Sequence, residues 1–280
     1  MSETYSIAIK KQPIIKIVEG QHLPFEDLVV IEAPLEIRIH YFSKGKWTKK
    51  KLAVTMRTPG NDKSLAIGFL FSEGIIGHFS DITSIEKIED NILIISLLKK
   101  VVVAMDTLER NFYATSSCGV CGKASIDKLT KTSCFFPRPA LPKISPTTLG
   151  KLPLLLRDIQ SLFDQTGGIH AAAIFSTRGD LVKIAEDVGR HNAVDKLIGH
   201  CLQNNQIPLR KEVLMLSGRI SFELVQKAMM VGIPIIAAVG APSSLAIELA
   251  EETDITLIGF LKAERFNVYC GEERLKGQKG

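Results

Sequence analysis

The chain has 280 residues, 45% of them hydrophobic and 23% charged, with a net charge of +5. That length and balance suit a globular protein with a substantial core and exclude a disordered or low-complexity chain. No stretch approaches the roughly 20 apolar residues of a membrane span. Residues 1–11 have no apolar run and contain Glu3, and basic residues never cluster beyond 49–51. Neither a signal peptide, a membrane helix nor a nucleic-acid surface is expected, and the expected location is cytoplasmic.

In chain order, the first hundred residues read mainly as strands. Residues 13–18 form a short apolar run, and 35–42 alternate apolar and polar side chains as a half-buried strand does. A turn at Ser43-Lys44-Gly45-Lys46 leads to a hairpin partner over 51–57. Asn61 or Asp62 suits the N-cap of a helix to about Glu73, which Gly74 and Gly77 end. Residues 91–98 and 101–106 read as further strands. Over 114–147 the chain turns small, polar and glycine-bearing, and then carries Pro137, Pro139, Pro142 and Pro146. This predicts a strand-rich N-terminal part with one helix (1–113), a cysteine loop and Pro-rich linker (114–147), and a C-terminal part (148–280).

The C-terminal part reads as helix 149–163, hairpin strands 169–176 and 181–186 around Arg178-Gly179-Asp180, helix 191–202, strand 213–217, helix 222–230, strand 234–239, helix 245–252 and strand 256–260. Such alternation predicts an α/β fold (α+β for the whole chain) with a largely parallel sheet covered on both faces. Ligands of such sheets bind beyond the carboxyl ends of the strands. Those ends are residues 187–192, 217–219, 241–244 and 261–265.

The cysteines are Cys118, Cys121, Cys134, Cys201 and Cys270. An odd count without an export signal argues against a disulfide framework. Cys201 lies in an apolar helical pattern and Cys270 follows a strand, so both read as packing residues. Cys118 and Cys121, in Ser117-Cys118-Gly119-Val120-Cys121-Gly122, could close a disulfide, share a metal or act as nucleophile and resolver. Structural zinc wants four ligands and no second CxxC is present. A thioredoxin-like pair would follow a strand and open a helix, which these flanks do not suggest. Persulfide chemistry suits a glycine loop that lets a large donor approach, and Lys123 could favour the reactive thiolate. The second thiol can then attack the inner sulfur and release the outer one.

The run Ser117–Gly122 is followed by Thr166-Gly167-Gly168-Ile169-His170-Ala171-Ala172, Glu186-Asp187-Val188-Gly189-Arg190-His191-Asn192-Ala193-Val194-Asp195-Lys196, Ser217-Gly218-Arg219 and Gly259-Phe260-Leu261-Lys262-Ala263-Glu264-Arg265. This ordered set resembles the formate dehydrogenase accessory sulfurtransferases, the FdhD family, over about residues 34–275. The resemblance implies a protein that takes sulfur from a cysteine desulfurase as a CxxC persulfide. It implies delivery to the molybdenum of a bis(molybdopterin guanine dinucleotide) cofactor destined for formate dehydrogenase. It also implies a homodimer and a C-terminal domain like that of cytidine deaminases. The persulfide-bearing cysteine maps onto Cys118, with Cys121 as the second thiol. The cofactor-binding segment maps onto Phe260, Leu261, Lys262, Ala263, Glu264 and Arg265.

The cofactor's pyrophosphates suit helix N-termini and cationic side chains. Lys262 and Arg265 follow the last regular strand, and Arg219 stands at a strand-to-helix turn. His191 could touch a ligand, or cap its helix and pair with Asp187, and His170 reads as a hydrogen-bonded core histidine. Zinc deaminases need H-x-E followed by P-C-x-x-C. The corresponding positions read His191-Asn192-Ala193 and Ser217-Gly218-Arg219-Ile220-Ser221, so neither zinc nor deamination is expected. Two alternatives stand beside sulfur transfer: a cofactor-binding chaperone that moves no sulfur, and a structural zinc or thiol redox protein.

Overall fold

Glu19-Gly20 and Lys44-Gly45 each place two consecutive residues at positive φ (49° and 81°; 49° and 80°), the geometry that joins twisted antiparallel strands through two residues. They close the hairpins β1 (Ile9–Val18) with β2 (Gln21–Val30) and β3 (Ala33–Ser43) with β4 (Lys46–Arg57). The computed structural model describes residues 7–103, 135, 137 and 140–276. Helix α1 (Asp62–Ser72), β5 (Ile82–Glu89) and β6 (Ile92–Leu97) follow. β3 to β6 form one sheet in the order β4-β3-β6-β5, with β3 and β6 parallel. The predicted strand 101–106 is not seen over 101–103, and 104–106 lie outside the described residues, as do Cys118, Cys121 and Cys134.

The C-terminal half comprises α2 (Pro146–Asp158), α3 (Ser161–Thr166), β7 (His170–Ser176), β8 (Leu181–Asp187), α4 (Arg190–Gln203), β9 (Glu212–Leu216), α5 (Phe222–Met230), β10 (Ile235–Ala238), α6 (Ser244–Glu252), β11 (Thr256–Gly259) and β12 (Asn267–Cys270). Ser145 caps α2 by accepting the Thr148 N–H at 3.0 Å, with Pro146 at the first helical position. The predicted helix 149–163 is two helices, because the chain leaves helical geometry at Gln160, whose side chain turns inward and is 4% exposed.

The second sheet has the order β12-β11-β10-β9-β7-β8. It is mixed, not largely parallel: β9, β10 and β11 are parallel, whereas β7, β8 and β12 join antiparallel. Only the β9-α5-β10 and β10-α6-β11 crossovers impose parallel pairing, and tight connections do not. Both faces are covered. One face sends Ala172, Ile174, Leu214, Leu216 and Ile236 into a core shared with α4, α5, α6, α1 and the inner face of the first sheet. The other sends Ala171, Ala173, Phe175, Met215 and Ala237 against Leu149, Leu152 and Leu156 of α2.

The two halves meet where α1 crosses α4. A Cβ on Gly68 would lie 1.9 Å from the Asp195 carbonyl oxygen, and one on Gly199 would lie 1.9 Å from that of Ser64. Glycine at both positions lets the backbones touch. No helix is long and apolar enough to cross a membrane among the described residues.

Candidate functional site

Because β9, β10 and β11 run parallel, their carboxyl ends share one edge of the sheet. The antiparallel β7–β8 hairpin brings His170, paired with Asp187, to the same edge. Residues 187–191, 217–221, 239–243 and 260–266 therefore gather there, at the strand ends where the sequence locates them. Helices α4, α5 and α6 all begin at this edge, and the first N–H groups of a helix lack intrahelical acceptors.

The loops are wedged together. The Gly240 N–H donates to the Gly218 carbonyl at 3.2 Å. A Cβ on Gly240 would stand 2.9 Å from the Arg219 nitrogen and from the Gly218 oxygen. Ile220 N–H reaches the Ala241 carbonyl, and Ser243 N–H that of Ile220, each at 3.0 Å. The last loop hangs on these two. Phe260 N–H donates to Gly240 at 3.1 Å and Leu261 N–H to Ala238 at 2.9 Å, while the Leu261 side chain is wholly buried. Phe260 pays for this with φ +52°, a conformation costing a bulky residue about 1–2 kcal/mol. Lys262 N–H closes a turn onto the Arg265 carbonyl at 2.9 Å. Behind it, Gly150 of α2 leaves room for the Ala263 carbonyl, which a Cβ would approach to 2.1 Å.

The result is a fixed turn that exposes Lys262, Ala263, Glu264 and Arg265, with Phe260 48% exposed beside it and Arg219 exposed on the neighbouring loop. Arg219, Lys262 and Arg265 enter no ion pair among the described residues. The structure thus brings Arg219 and the 260–265 segment to one edge, whereas Cys118 and Cys121 lie outside the described residues.

His170 is half-buried at this edge rather than in the core, its ring against Gly218. Burial, then the charges of Arg190 and His191, push its imidazole below the ordinary pKa. His191 does not pair with Asp187. Its Nε2 lies 3.0 Å from Ser221 Oγ and 3.7 Å from Glu223 Oε2, and the imidazole holds the Glu223 carboxyl well below the usual range. Ser221 and Glu223 carried no sequence signal beyond standing at the start of a helix.

Most of the 186–196 run is structural. Buried Asp187 pairs with buried Lys196 at 2.7 Å and accepts N–H groups from Gly189 and Thr58 and an amide proton from Asn192. Asn192 also donates to the Met56 carbonyl of β4 at 2.7 Å and accepts from Thr55. Asp195 holds Lys227 and Ser72. Glu186 accepts the Leu162 and Phe163 N–H groups at the start of α3.

Burial pushes the Cys201 and Cys270 thiols up to about 11, so neither supplies a thiolate near neutrality. An open cleft of about 620 Å³ is lined by residues that include Arg57, Asn61, Lys87 and Gln203. It lies at the far end of α4, and its Arg57 is already committed to Asp62 through two 2.9 Å hydrogen bonds.

The sequence model of the FdhD/NarQ family matches residues 30–276. The protein named sulfur carrier protein FdhD of Streptomyces avermitilis is 47% identical over 276 residues, covering 95% of each chain. Its namesake in Sulfurisphaera tokodaii is 41% identical over 267 residues, covering 95% of this chain and 99% of its own. A crystal structure described as a formate dehydrogenase accessory protein from Desulfotalea psychrophila has the same fold. It aligns with a TM-score of 0.73 at 24% identity, over 96% of this chain and 100% of that one. With a match running from the end of β2 to the last described residues, the chain belongs to the FdhD/NarQ family.

Proposed function

We propose that this chain is a sulfur carrier serving formate dehydrogenase, acting in the cytoplasm as a homodimer. In this reading the Cys118 thiolate attacks the outer sulfur of a cysteine desulfurase persulfide, and the desulfurase thiolate leaves. Cys121 then attacks Cys118 Sγ. The new disulfide expels the outer sulfur as hydrosulfide, which passes to the molybdenum of bis(molybdopterin guanine dinucleotide), the substrate. A thiol reductant returns two electrons to the Cys118–Cys121 disulfide before the next cycle.

The observation that carries the reading is the near full-length identity to proteins named sulfur carriers, with both cysteines inside the matched span. The edge of the second sheet supports its other half. Three helix N-termini with Arg219, Lys262 and Arg265 suit the pyrophosphates of a dinucleotide. Delivery of the charged cofactor makes formate dehydrogenase the recipient.

The test is intact-protein mass spectrometry after incubation with a cysteine desulfurase and cysteine. Wild type gains one sulfur atom and Cys118→Ala gains none. No gain on any form, with the desulfurase shown active, would leave a cofactor chaperone in its place. Separately, Lys262→Ala with Arg265→Ala weakens guanine-nucleotide binding and leaves sulfur loading intact; unchanged affinity would remove that segment from the site.

A further inference from the structure

Helix α2 carries two rows of residues. Leu149, Leu152 and Leu156 enter the core beneath it. Pro146, Gly150 and Leu154, each four residues apart, form a second row beside them that takes no part in that core. The Ala263 carbonyl is set against Gly150 in this row, which holds the 262–265 turn alongside the helix. Between helix and turn lies a cavity of about 360 Å³, within the range of small-molecule sites, which begins near about 300 Å³.

The cavity has apolar walls. Leu154, 61% exposed, stands on the helix side, and half-buried Phe266 stands on the turn side, packed on the core beneath α2. Two opposite charges also line it: Lys151 from the helix and Glu264 from the turn, both exposed. They share the cavity without joining, and neither enters an ion pair among the described residues.

A carboxylate does not serve a pyrophosphate. Glu264 nevertheless stands between Lys262 and Arg265, whose charges do. Guanine accounts for all of these groups. Its N1–H and 2-amino group are adjacent donors that one carboxylate accepts together, and its O6 and N7 are acceptors that an ammonium satisfies. Adenine reverses the pattern, turning an acceptor N1 toward the carboxylate and an amino group toward the ammonium. Cytosine has a single ring and fills less of the apolar walls.

We propose that this cavity seats the guanine base of the nucleotide between Leu154 and Phe266, with Glu264 accepting from N1–H and the 2-amino group and Lys151 donating to O6. The inference rests on the guanine-nucleotide ligand of the function proposed above and names the groups that choose its base. Lys262 and Arg265 flank Glu264 in the same turn, so the phosphates leave the cavity toward them.

Calorimetry on the full chain with guanosine, inosine and adenosine diphosphates tests it. Inosine diphosphate lacks only the 2-amino group. Wild type binds both it and adenosine diphosphate at least about tenfold more weakly than guanosine diphosphate. Glu264→Ala lowers affinity for guanosine diphosphate at least about tenfold and brings its ratio to inosine diphosphate down to about one. Lys151→Met keeps the apolar stem, weakens both of these ligands alike and leaves adenosine diphosphate unchanged. Both side chains are exposed, so the variants fold, with melting temperatures that match wild type. Equal binding of the three diphosphates by wild type, or a guanine preference that survives Glu264→Ala, overturns the pocket and leaves phosphate binding at Lys262 and Arg265 standing. A guanosine diphosphate affinity untouched by Lys151→Met removes Lys151 from it. No binding of any diphosphate overturns the nucleotide reading itself. Sulfur loading on Cys118, measured in parallel, judges the carrier reading independently.

Discussion

Gly68→Ala sets two effects of opposite sign against each other. In an ordinary helix the change stabilises by about 1 kcal/mol, the propensity difference between glycine and alanine. Here the added Cβ would lie 1.9 Å from the Asp195 carbonyl oxygen of α4 and 2.7 Å from its carbonyl carbon. A relaxed carbon–oxygen contact is about 3.3 Å, and the opposing atoms are backbone, which cannot rotate aside. The helices must part by an ångström or so, and gaps of that size forfeit roughly a quarter to a half of the local dispersion energy. Leu65 and Ala66 of α1, and Val194 and Ile198 of α4, are buried in the core shared by the two helices and lose contact together. Overpacking of this kind reaches about 3 kcal/mol or more. After subtracting the propensity gain, the net loss is about 2 kcal/mol, or roughly 4–8 °C in Tm. Differential scanning calorimetry with urea titration measures both. An unchanged or raised Tm would refute the reasoning. Gly199→Ala repeats the clash from the other helix, against Ser64, at the same crossing. One separation relieves both, so the double variant costs less than the sum of the singles.

Other expectations follow from the same geometry. Gly150→Ala pushes a Cβ to 2.1 Å from the Ala263 carbonyl, so it displaces the 260–265 turn and weakens guanine-nucleotide binding about tenfold (1.4 kcal/mol) by calorimetry, with sulfur loading unaltered. Asp187→Ala leaves Lys196 buried without its carboxylate and lowers stability by about 3–5 kcal/mol in urea titrations; adding Lys196→Met recovers part of the loss, and a single-variant cost near zero would contradict the pairing. His170 takes its proton in the unfolded chain near pH 6.5 but only at lower pH when folded. The unfolded state therefore binds more protons below pH 6.5, and stability falls as pH drops through that window. His170→Gln removes this component, so its stability relative to wild type improves from pH 7 to pH 5.5.

Legibility in the sequence followed burial. β3, β6, β7, β9 and β10 each bury at least one face, and their apolar patterns mark them. β2, β5 and β12 went unread because none has a fully buried side chain and so none shows a clear apolar period, while the equally exposed β1 was read only through its apolar run at 13–18. The break at Gln160 was equally hidden, since a buried glutamine is a tertiary outcome. Among the candidate site residues, the gathering of Arg219, Lys262 and Arg265 at one sheet edge was legible, because strand ends mark that edge. His191 was half legible: the sequence placed it at a helix start, but its partners, Ser221 and Glu223, come from a different helix.

The sequence alone carried the α/β class, the alternation of helix and strand through most of the C-terminal half, the strand ends that gather at one edge, and the family, because each depends on local periodicity, turn residues or ordered motifs. Only the tertiary structure decided strand direction in the mixed sheet, the glycine-to-backbone contact of α1 with α4, and the sorting of the 186–196 run into core and site. Asp187 and Lys196 meet Thr58 across 129 and 138 residues of chain. No local pattern encodes a partner that distant, and a buried carboxylate acquires its meaning only from the groups that fold around it.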